Sequence, residues 1–264
     1  MRRASLVPYC FLIPALVLIG IFIVYPLVYT IYASLFYWKG RTMGDFIGLG
    51  NYLNVLGRRR ILDLSRSLFE GPPLGALTHN ALWVVIHVPL CTILGLLLAL
   101  LLRDVKGASI IKTIIFLAMV IPLVVGGIIL RFIYDVDAGV VNAILGATGL
   151  VKPKTWTVLP DTALFSLIFG SVWLWTGFSM TIYAAGLEAI PKELYEAAKI
   201  DGASGAKIFW HITIPLLKPA TITVVVMSVL WVLKVFDIIY VVTMGGPGGA
   251  STVLALEMYI EAFY

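Results

Sequence analysis

The sequence predicts an all-α fold, a polytopic bundle of transmembrane helices with at least five complete spans. Hydrophobic residues make up 61% of the 264 residues and charged residues 12%, with a mean hydropathy of +1.01, whereas a soluble domain is about 25% charged. Several uncharged runs exceed the roughly 18 residues that indicate a membrane-spanning helix. These runs do not alternate polar and apolar residues, as the strands of a membrane barrel would. We therefore expect residues 1–264 to form a single transmembrane domain.

Five apolar runs are long enough to cross the bilayer, and polar connections separate them. Prolines interrupt the first run, which membrane helices tolerate because neighbouring groups satisfy the freed carbonyls. In the third run Pro122 precedes Gly126 and Gly127, a local break that either lines a cavity or lets helices approach closely. The expected spans are about 11–37, 80–102, 113–133, 163–187 and 220–244.

A glycine-rich loop, GGPGG at 245–249, follows the fifth run, and no helix could continue through it. After it, residues 253–264 begin another apolar segment with the character of a helix. A sixth span is therefore expected, cut short at the C-terminus of the sequence.

The charge pattern leaves the orientation of the bundle open. With a cytoplasmic N-terminus, the lysines and arginines of the loops divide equally between the two sides, so the positive-inside rule gives a tie. Arg2, Arg3 and the short loop at 103–112 favour that orientation, whereas the arginine triplet at 58–60 opposes it. The net charge of +5 is modest, and in a membrane protein it indicates topology and contact with lipid headgroups rather than nucleic acid.

No enzyme motif is present in the sequence. The phosphate-binding pattern G-x-x-x-x-G-K-[ST] is absent, because GASGAK at 202–207 has the wrong spacing. The patterns H-E-x-x-H, C-x-x-C and G-x-S-x-G are also absent. Three histidines and two cysteines are too few and too scattered for a metal or nucleophile centre. We expect this chain to catalyse no reaction alone and to hold no metal or cofactor.

Lys234 and Asp237 are charged side chains inside the fifth predicted span. Three residues apart, they would lie on one helix face, and each would cost about 2.5–3.5 kcal/mol at the bilayer centre. They should face either a translocation path or gate, or a structural ion pair or partner subunit. Trp173 and Trp175 in the fourth span could stack on sugar rings, although packing between helices is the interpretation that we favour.

The polar interval 188–219, between two uncharged runs, predicts two short helices joined by an elbow. Pro191 suits the start of a helix, Gly202 is placed to end it with a positive φ, and Ser204 can cap the second helix. This interval is either a docking element for a soluble partner or a surface helix packed under its own bundle.

The same interval resembles the EAA motif of the inner-membrane permeases of binding-protein-dependent ABC importers. The matching pattern is Glu196-Ala197-Ala198, three residues, Gly202, nine residues, Ile212, one residue and Ile214-Pro215, where Ile214 replaces the usual leucine. Other segments resemble carbohydrate and glycerol-phosphate permeases of the maltose type; they contain Asp201, Ala203 and Pro219, then Phe46, Gly48, Leu49, Asn51 and Tyr52, then Gly139 and Asn142, then Phe236, Asp237, Thr243 and Thr252.

This resemblance implies a permease subunit of an ATP-driven importer, multi-pass in the cytoplasmic (inner) membrane, with its N-terminus and the motif loop in the cytoplasm. It implies a sugar or oligosaccharide substrate, a second related permease, an extracytoplasmic solute-binding protein, and two copies of a cytoplasmic ATPase that hold ATP and Mg²⁺. The arginine triplet would then lie outside, near the binding protein or lipid headgroups. The ATPase-docking residues implied are Glu196, Ala197, Ala198, Asp201, Gly202, Ala203, Ile212 and Pro215.

Three alternatives stay open at this point. The chain is a self-contained secondary transporter or channel that uses Lys234 and Asp237, an ABC permease for a non-sugar solute such as glycerol phosphate, or a membrane scaffold that transports nothing. Co-purification with an ATPase and ATP-dependent uptake distinguish the importer from the first and the third.

Overall fold

The computed structural model describes residues 7–67, 70–149 and 152–264. Its contacts separate two compact units, one that ends at Arg58 and one that begins at Arg59. Arg2 and Arg3, which contribute to the predicted orientation, lie outside the described residues. The organisation into a single domain stays a prediction.

An apolar helical run opens the first unit. Helix α1 (Val7–Ile19), a π-helical turn (Gly20–Val24) and helix α2 (Tyr25–Ala33) follow one another directly. The π turn immediately precedes the turn that contains Pro26, whose missing amide cannot complete an α-helical hydrogen bond. The stretch Phe11–Ala33 is long and apolar enough to cross a membrane, and its apolar side chains are exposed.

A short hairpin and a helix follow α2. Strands β1 (Phe36–Lys39) and β2 (Thr42–Phe46) pair antiparallel, and helix α3 (Gly50–Leu56) comes next. The side-chain amide of Asn51 donates to the carbonyls of Ser34 and Phe36 at 2.8 Å each, which ties α3 to the start of the hairpin. This hydrogen bonding gives Asn51, one of the residues that carry the family resemblance, a structural role.

The second unit is built mainly of helices. Four of them, α4, α5, α8 and α12, form its apolar centre, and shorter helices connect them. In chain order they are α4 (Ala76–Leu101), α5 (Ala108–Val120), α6 (Leu123–Ile133), α7 (Val140–Ala147), α8 (Pro160–Glu188), α9 (Lys192–Ile200), α10 (Gly205–Ile208), a second π turn (Phe209–Thr213), α11 (Ile214–Leu216), α12 (Lys218–Leu233), α13 (Asp237–Val242) and α14 (Leu254–Phe263).

Helix α8 is the centre of this unit and packs against α4, α5, α6 and α12. Its closest crossing is with α4, where a Cβ added to Gly95 would collide with Ser179 of α8. Small residues permit such close approach between membrane helices. Two apolar clusters flank the crossing: the Trp83 cluster includes Leu130 and Leu167, and the Tyr183 cluster includes Ala99, Leu102 and Leu217.

The third predicted span is not one continuous helix. Helices α5 and α6 meet at a 102° bend, because Ile121, which precedes Pro122, adopts an extended ψ of 129°. Gly126 and Gly127 lie beyond the bend. A Cβ added to Gly127 would lie 3.2 Å from the Cβ of Val241, so this glycine pair serves close helix approach rather than a cavity lining.

The prediction of one continuous fifth helix over 220–244 is wrong. Helix α12 ends at Leu233, and α13 begins only at Asp237. Phe236 between them has φ −141° and ψ −57°, outside helical geometry. Packing against α4 and α6 therefore decides the path of this segment, since its apolar composition alone would support one long helix.

The described residues contain three helices that are long and apolar enough to cross a membrane, or up to five spans if each of two bent pairs counts as one. The second bent pair joins Gly205–Leu216 to Lys218–Leu233 at 62°. The glycine-rich loop breaks the chain where predicted, and α14 begins at Leu254. The predicted class, an all-α bundle of transmembrane helices, agrees with this architecture.

Candidate functional site

The interval 188–219 forms the predicted elbow between α9 and α10. Helix α9 ends in two hydrogen bonds: the amide of Ala203 donates to the carbonyl of Ala198 at 2.9 Å, and that of Gly202 to the carbonyl of Lys199 at 3.1 Å. This pair is a Schellman motif, which requires a left-handed residue just past the helix. Gly202 supplies it with φ +74°, and a Cβ there would meet nothing within 4 Å. Conformation, and not space, is therefore what the position requires.

Local signals determine where each of the two helices begins. Helix α9 begins directly after Pro191, with Glu193 in its first turn and Lys199 in its last turn, as the helix dipole favours. The amide of Lys207 donates to the hydroxyl of Ser204 at 3.3 Å, so Ser204 caps α10 as predicted.

The elbow presents charged and apolar side chains together on its outer face. Of the predicted docking residues, Glu196, Ala197, Asp201, Gly202 and Pro215 are exposed, whereas Ala198, Ala203 and Ile212 are half-buried. Two large apolar side chains are also open, Ile200 (85% exposed) and Trp210 (63% exposed). Exposed apolar groups rimmed by charges are typical of interaction surfaces.

Tyr195 anchors the other face of α9 to the bundle. The guanidinium of Arg103, just past the end of α4, lies over the Tyr195 ring at 4.9 Å from its centroid. The Tyr195 hydroxyl lies 3.3 Å from that of Thr213, and the ring packs on the Tyr183 cluster. The inner face of α9 therefore packs under its own bundle, and docking of a soluble partner stays a prediction for its exposed outer face. Sequence reasoning missed this anchor, because no periodic signal pairs residues so distant along the chain.

Lys234 and Asp237 do not lie within one helix as predicted. Lys234 caps the C-terminus of α12 and is exposed, whereas Asp237 opens α13 and is half-buried. Neither forms an ion pair within 4 Å with any residue that the structure describes. The structural ion pair between them is therefore absent from this conformation, because the helix break separates the two positions that a continuous helix would have aligned.

Four aromatic rings pack together next to this break, and three of them are stacked. Trp231 lies 5.2 Å from Trp175 and 5.1 Å from His87 between ring centroids, and Phe178 lies 5.1 Å from Trp175. The indole nitrogen of Trp175 donates to the Ser228 hydroxyl at 2.9 Å. This arrangement agrees with the packing interpretation for Trp175. Trp173 takes no part in the stack and is 43% exposed.

Polar side chains of α4 hold the unit together at its other end. The Asn80 amide donates to the carbonyl of Val232 at 3.1 Å, and its oxygen accepts from the amide of Leu254 at 2.8 Å. Asn80 thereby joins the end of α12 and the start of α14. His79 is fully buried and hydrogen-bonded to the backbone of Leu74 and Thr252. No local pattern in the sequence predicts this role of His79, because Thr252 lies 173 residues away along the chain.

Comparison with known proteins gives one family. Residues 92–264 match the model of the family described as binding-protein-dependent transport system inner membrane component. The chain is 54% identical to a probable ABC transporter permease protein of Pyrococcus horikoshii, over 97% of this chain and 88% of the relative. It is 36% identical to the trehalose/maltose transport system permease protein MalF of Thermococcus litoralis, over 96% and 82% respectively.

A further relative is the alpha-glucoside transport system permease protein AglF of Rhizobium meliloti, with 36% identity over 91% of this chain and 69% of that protein. Among solved structures, the chain is similar to a bacterial ABC transporter involved in the import of alginate, with a TM-score of 0.75. That match covers 97% of this chain and 84% of the other at 21% identity, and it supports the fold.

We expect that Arg103→Gln loosens α9 from the bundle. Loss of the contact with the Tyr195 ring, worth about 0.5–1 kcal/mol at an exposed site, should speed amide exchange in α9 by about two- to fivefold. Hydrogen exchange of the membrane-embedded protein, followed by mass spectrometry, measures this. Lys106→Gln is the matched control, because it neutralises another exposed cation of the same loop. Equal exchange in the two variants would contradict the anchor.

Proposed function

This chain belongs to the family of binding-protein-dependent transport system inner membrane components, the permease subunits of ABC importers, and from this membership we propose its specific role. With a second, related permease, the chain lines the translocation path of a sugar or oligosaccharide. The interval 188–219 couples that path to two copies of a cytoplasmic ATPase, which hold the ATP and Mg²⁺. An extracytoplasmic solute-binding protein delivers the substrate.

The observation that carries the coupling proposal is the two-sided geometry of α9. Its inner face is held by Tyr195 against Arg103 and Thr213, while Glu196 and Ala197 on its outer face are open. A partner that binds the outer face can therefore move the ends of α4 and α8 through Tyr195. A helix packed all round could not receive a partner, and a helix without an anchor could not transmit motion.

The mechanism follows from linkage between two sites on one two-state element. Movement of the ATPase pair displaces α9, and the Tyr183 cluster passes that displacement to α4 and α8 because both helices pack within it. The bundle then exchanges an inward-open for an outward-open arrangement. In this proposal the elbow, and with it the N-terminus, lies in the cytoplasm.

The substrate class is proposed from the relatives. Two of their names specify trehalose and maltose, and alpha-glucosides, so a neutral sugar or oligosaccharide is the first choice. Trp173, which is exposed on α8 and takes no part in the stack of Trp175 and Trp231, is our candidate for contact with the substrate. Lys234 and Asp237, at the break between α12 and α13, are the candidate gate residues.

Membership in a family of ABC importer permeases argues against the self-contained secondary transporter. That alternative would also use Lys234 and Asp237 as a coupled pair, and these side chains form no pair in the described residues. Glycerol phosphate, the alternative solute, would need a compensating cation in the path, for which the exposed Lys234 is available. The substrate experiment below separates these cases.

We expect the assembled complex of permeases and ATPase, in proteoliposomes, to take up a sugar only when ATP and the binding protein are supplied. A panel of disaccharides, glycerol 3-phosphate and a no-ATP control measures ATP dependence and substrate class together. Uptake without ATP would contradict the importer. ATP-dependent uptake of glycerol 3-phosphate, without uptake of any sugar, would identify that solute as the substrate instead of a sugar.

Replacement of Gly202 tests the coupling elbow. Because the position has space for a side chain but requires a positive φ, Gly202→Val should destabilise the elbow by about 1–2 kcal/mol, whereas Gly202→Asn should be tolerated since asparagine adopts this conformation. We expect Gly202→Val, and similarly Gly202→Asp to a smaller degree, to lower the sugar transported per ATP hydrolysed while the protein still inserts.

The control for Gly202 is Gly205→Ala, where a Cβ also meets nothing within 4 Å but φ is not positive. The readout is the ratio of sugar uptake to phosphate release in proteoliposomes. A normal ratio in Gly202→Val, or equal loss in the valine and asparagine variants, would refute the role of this conformation.

Neutralisation of the two charges at the helix break tests the gate. We expect Asp237→Asn to change the uptake rate, and its effect to add to that of Lys234→Gln, because the residues are unpaired in this conformation. Additivity within roughly 0.5 kcal/mol is the signature of independent sites. Unchanged kinetics in both single variants would remove the residues from the path, and strong non-additivity would indicate that they pair in another state of the cycle.

A further inference from the structure

A polar cleft of about 610 Å³ lies at the end of the second unit opposite the elbow. We call it the arginine cleft. Arg59, Arg60 and Asp63 line one wall, and Gly248, Gly249 and Glu257 line the other. Helix α4 starts beside the cleft at Ala76 and ends beside the elbow at Leu101, so the two features are separated by roughly 39 Å of helix.

The first wall is rigid because two chain segments are hydrogen-bonded along it. The amide of Ala76 donates to the carbonyl of Arg60 at 2.8 Å, and that of Leu77 to the carbonyl of Ile61 at 2.9 Å. Gly75 permits this approach with φ +89°, since a Cβ there would lie 2.8 Å from the Ile61 carbonyl oxygen. The backbone that carries the two arginines is therefore held in place.

The second wall is the glycine-rich loop, which is internally cross-linked. The hydroxyls of Thr243 and Ser251 lie 2.7 Å apart, and that of Ser251 donates to the carbonyl of Gly246 at 2.6 Å. Met244 is held at φ +50°, a conformation that costs a non-glycine residue energy and that often marks functional sites. The amides of Gly248 and Gly249 have no acceptor among the described residues.

His79 fixes the distance between the two walls. Its Nε2 accepts from the amide of Leu74 at 2.9 Å, and its Nδ1 lies 2.7 Å from the carbonyl of Thr252. Since an amide can only donate and a carbonyl can only accept, the ring must be neutral with its proton on Nδ1. One buried side chain of α4 thus binds both walls to the bundle.

The unused groups of the cleft are hydrogen-bond donors. Neither the Arg59 nor the Arg60 guanidinium makes a hydrogen bond or ion pair with a residue in the described ranges, and both side chains are exposed. One oxygen of the Asp63 carboxyl, Oδ1, accepts from both the hydroxyl and the amide of Ser65, and these bonds together with the nearby charge of Arg59 lower the pKa of this carboxyl. Glu257 is buried and not free. Such a set of donors complements a carboxylate, which guanidinium groups bind in bidentate fashion.

We propose that the arginine cleft receives acidic side chains of the extracytoplasmic solute-binding protein when that protein docks. The identity of the partner rests on the proposed function, in which the elbow is cytoplasmic and the opposite end of α4 therefore faces the binding protein. Charge complementarity identifies the chemistry: two exposed guanidinium groups on a held backbone, with two open backbone amides, against surface carboxylates. His79 links the docked cleft to α4, whose other end carries the anchor of α9.

The test is the affinity of the complete transporter in nanodiscs for the sugar-loaded binding protein that supports its uptake. Paired charge reversal, Arg59→Glu with Arg60→Glu, should weaken binding at least about tenfold, and rising salt should weaken the wild type more steeply than the variant. The milder pair Arg59→Gln with Arg60→Gln should fall between, which guards against misfolding of the reversed variant. Lys152→Glu, a single charge reversal on another exposed loop, should bind as the wild type.

Each contrary outcome has its own meaning. Equal affinity in the wild type and both arginine variants would overturn the cleft as a docking site. A defect present only in nanodiscs of anionic lipid, and absent in phosphatidylcholine, would assign the cleft to lipid headgroups and overturn the proposal. No binding by the wild-type complex would overturn the proposed function and this inference with it, whereas normal wild-type binding with unaffected variants refutes the cleft alone.

Discussion

The close crossing of α4 and α8 is the contact on which the second unit depends. A side chain at position 95 would collide with Ser179. The backbone of α4 at Gly95 therefore lies directly against the side chain of Ser179 in α8. In lipid, where apolar helices gain little from mutual hydrophobic contact, packing of this kind and buried hydrogen bonds provide the association energy. The crossing also sets the direction of α4, and α4 in turn determines where both candidate surfaces lie.

Broken helices are possible in this bundle because α4 supplies polar partners at the breaks. A backbone carbonyl left without a partner in lipid costs several kcal/mol. Asn80 satisfies the Val232 carbonyl at the end of α12 and the Leu254 amide at the start of α14. The glycine-rich loop between them is closed by its own threonine and serine hydroxyls. Irregular backbone within the unit is therefore paired with side chains, which allows α13 to leave the axis of α12.

The arrangement gives the permease two surfaces at the two ends of one rigid helix. At one end Arg103 contacts the ring of Tyr195, and at the other His79 contacts Leu74 and Thr252. In the proposed orientation, one surface meets the ATPase and the other the binding protein. Coupling between them requires an element with two discrete states that both partners bias. In the proposed mechanism we assign that role to the break between α12 and α13, next to which Asn80 of α4 donates to the Val232 carbonyl.

The sequence alone determined the class of the molecule and the detailed form of the elbow. Hydropathy predicts helices in a membrane, and the capping residues Gly202 and Ser204 act on neighbours within a few positions, so their geometry could be read locally and agreed with the structure. The bend at Pro122 also follows from a local cause, the effect of the proline on the residue before it. Tertiary structure decided the rest. The break at 234–236, the anchor of Tyr195 and the hydrogen bond between His79 and Thr252 depend on partners far away in the chain. A periodic pattern records which face of a helix is apolar, but it does not record which distant group that face will meet.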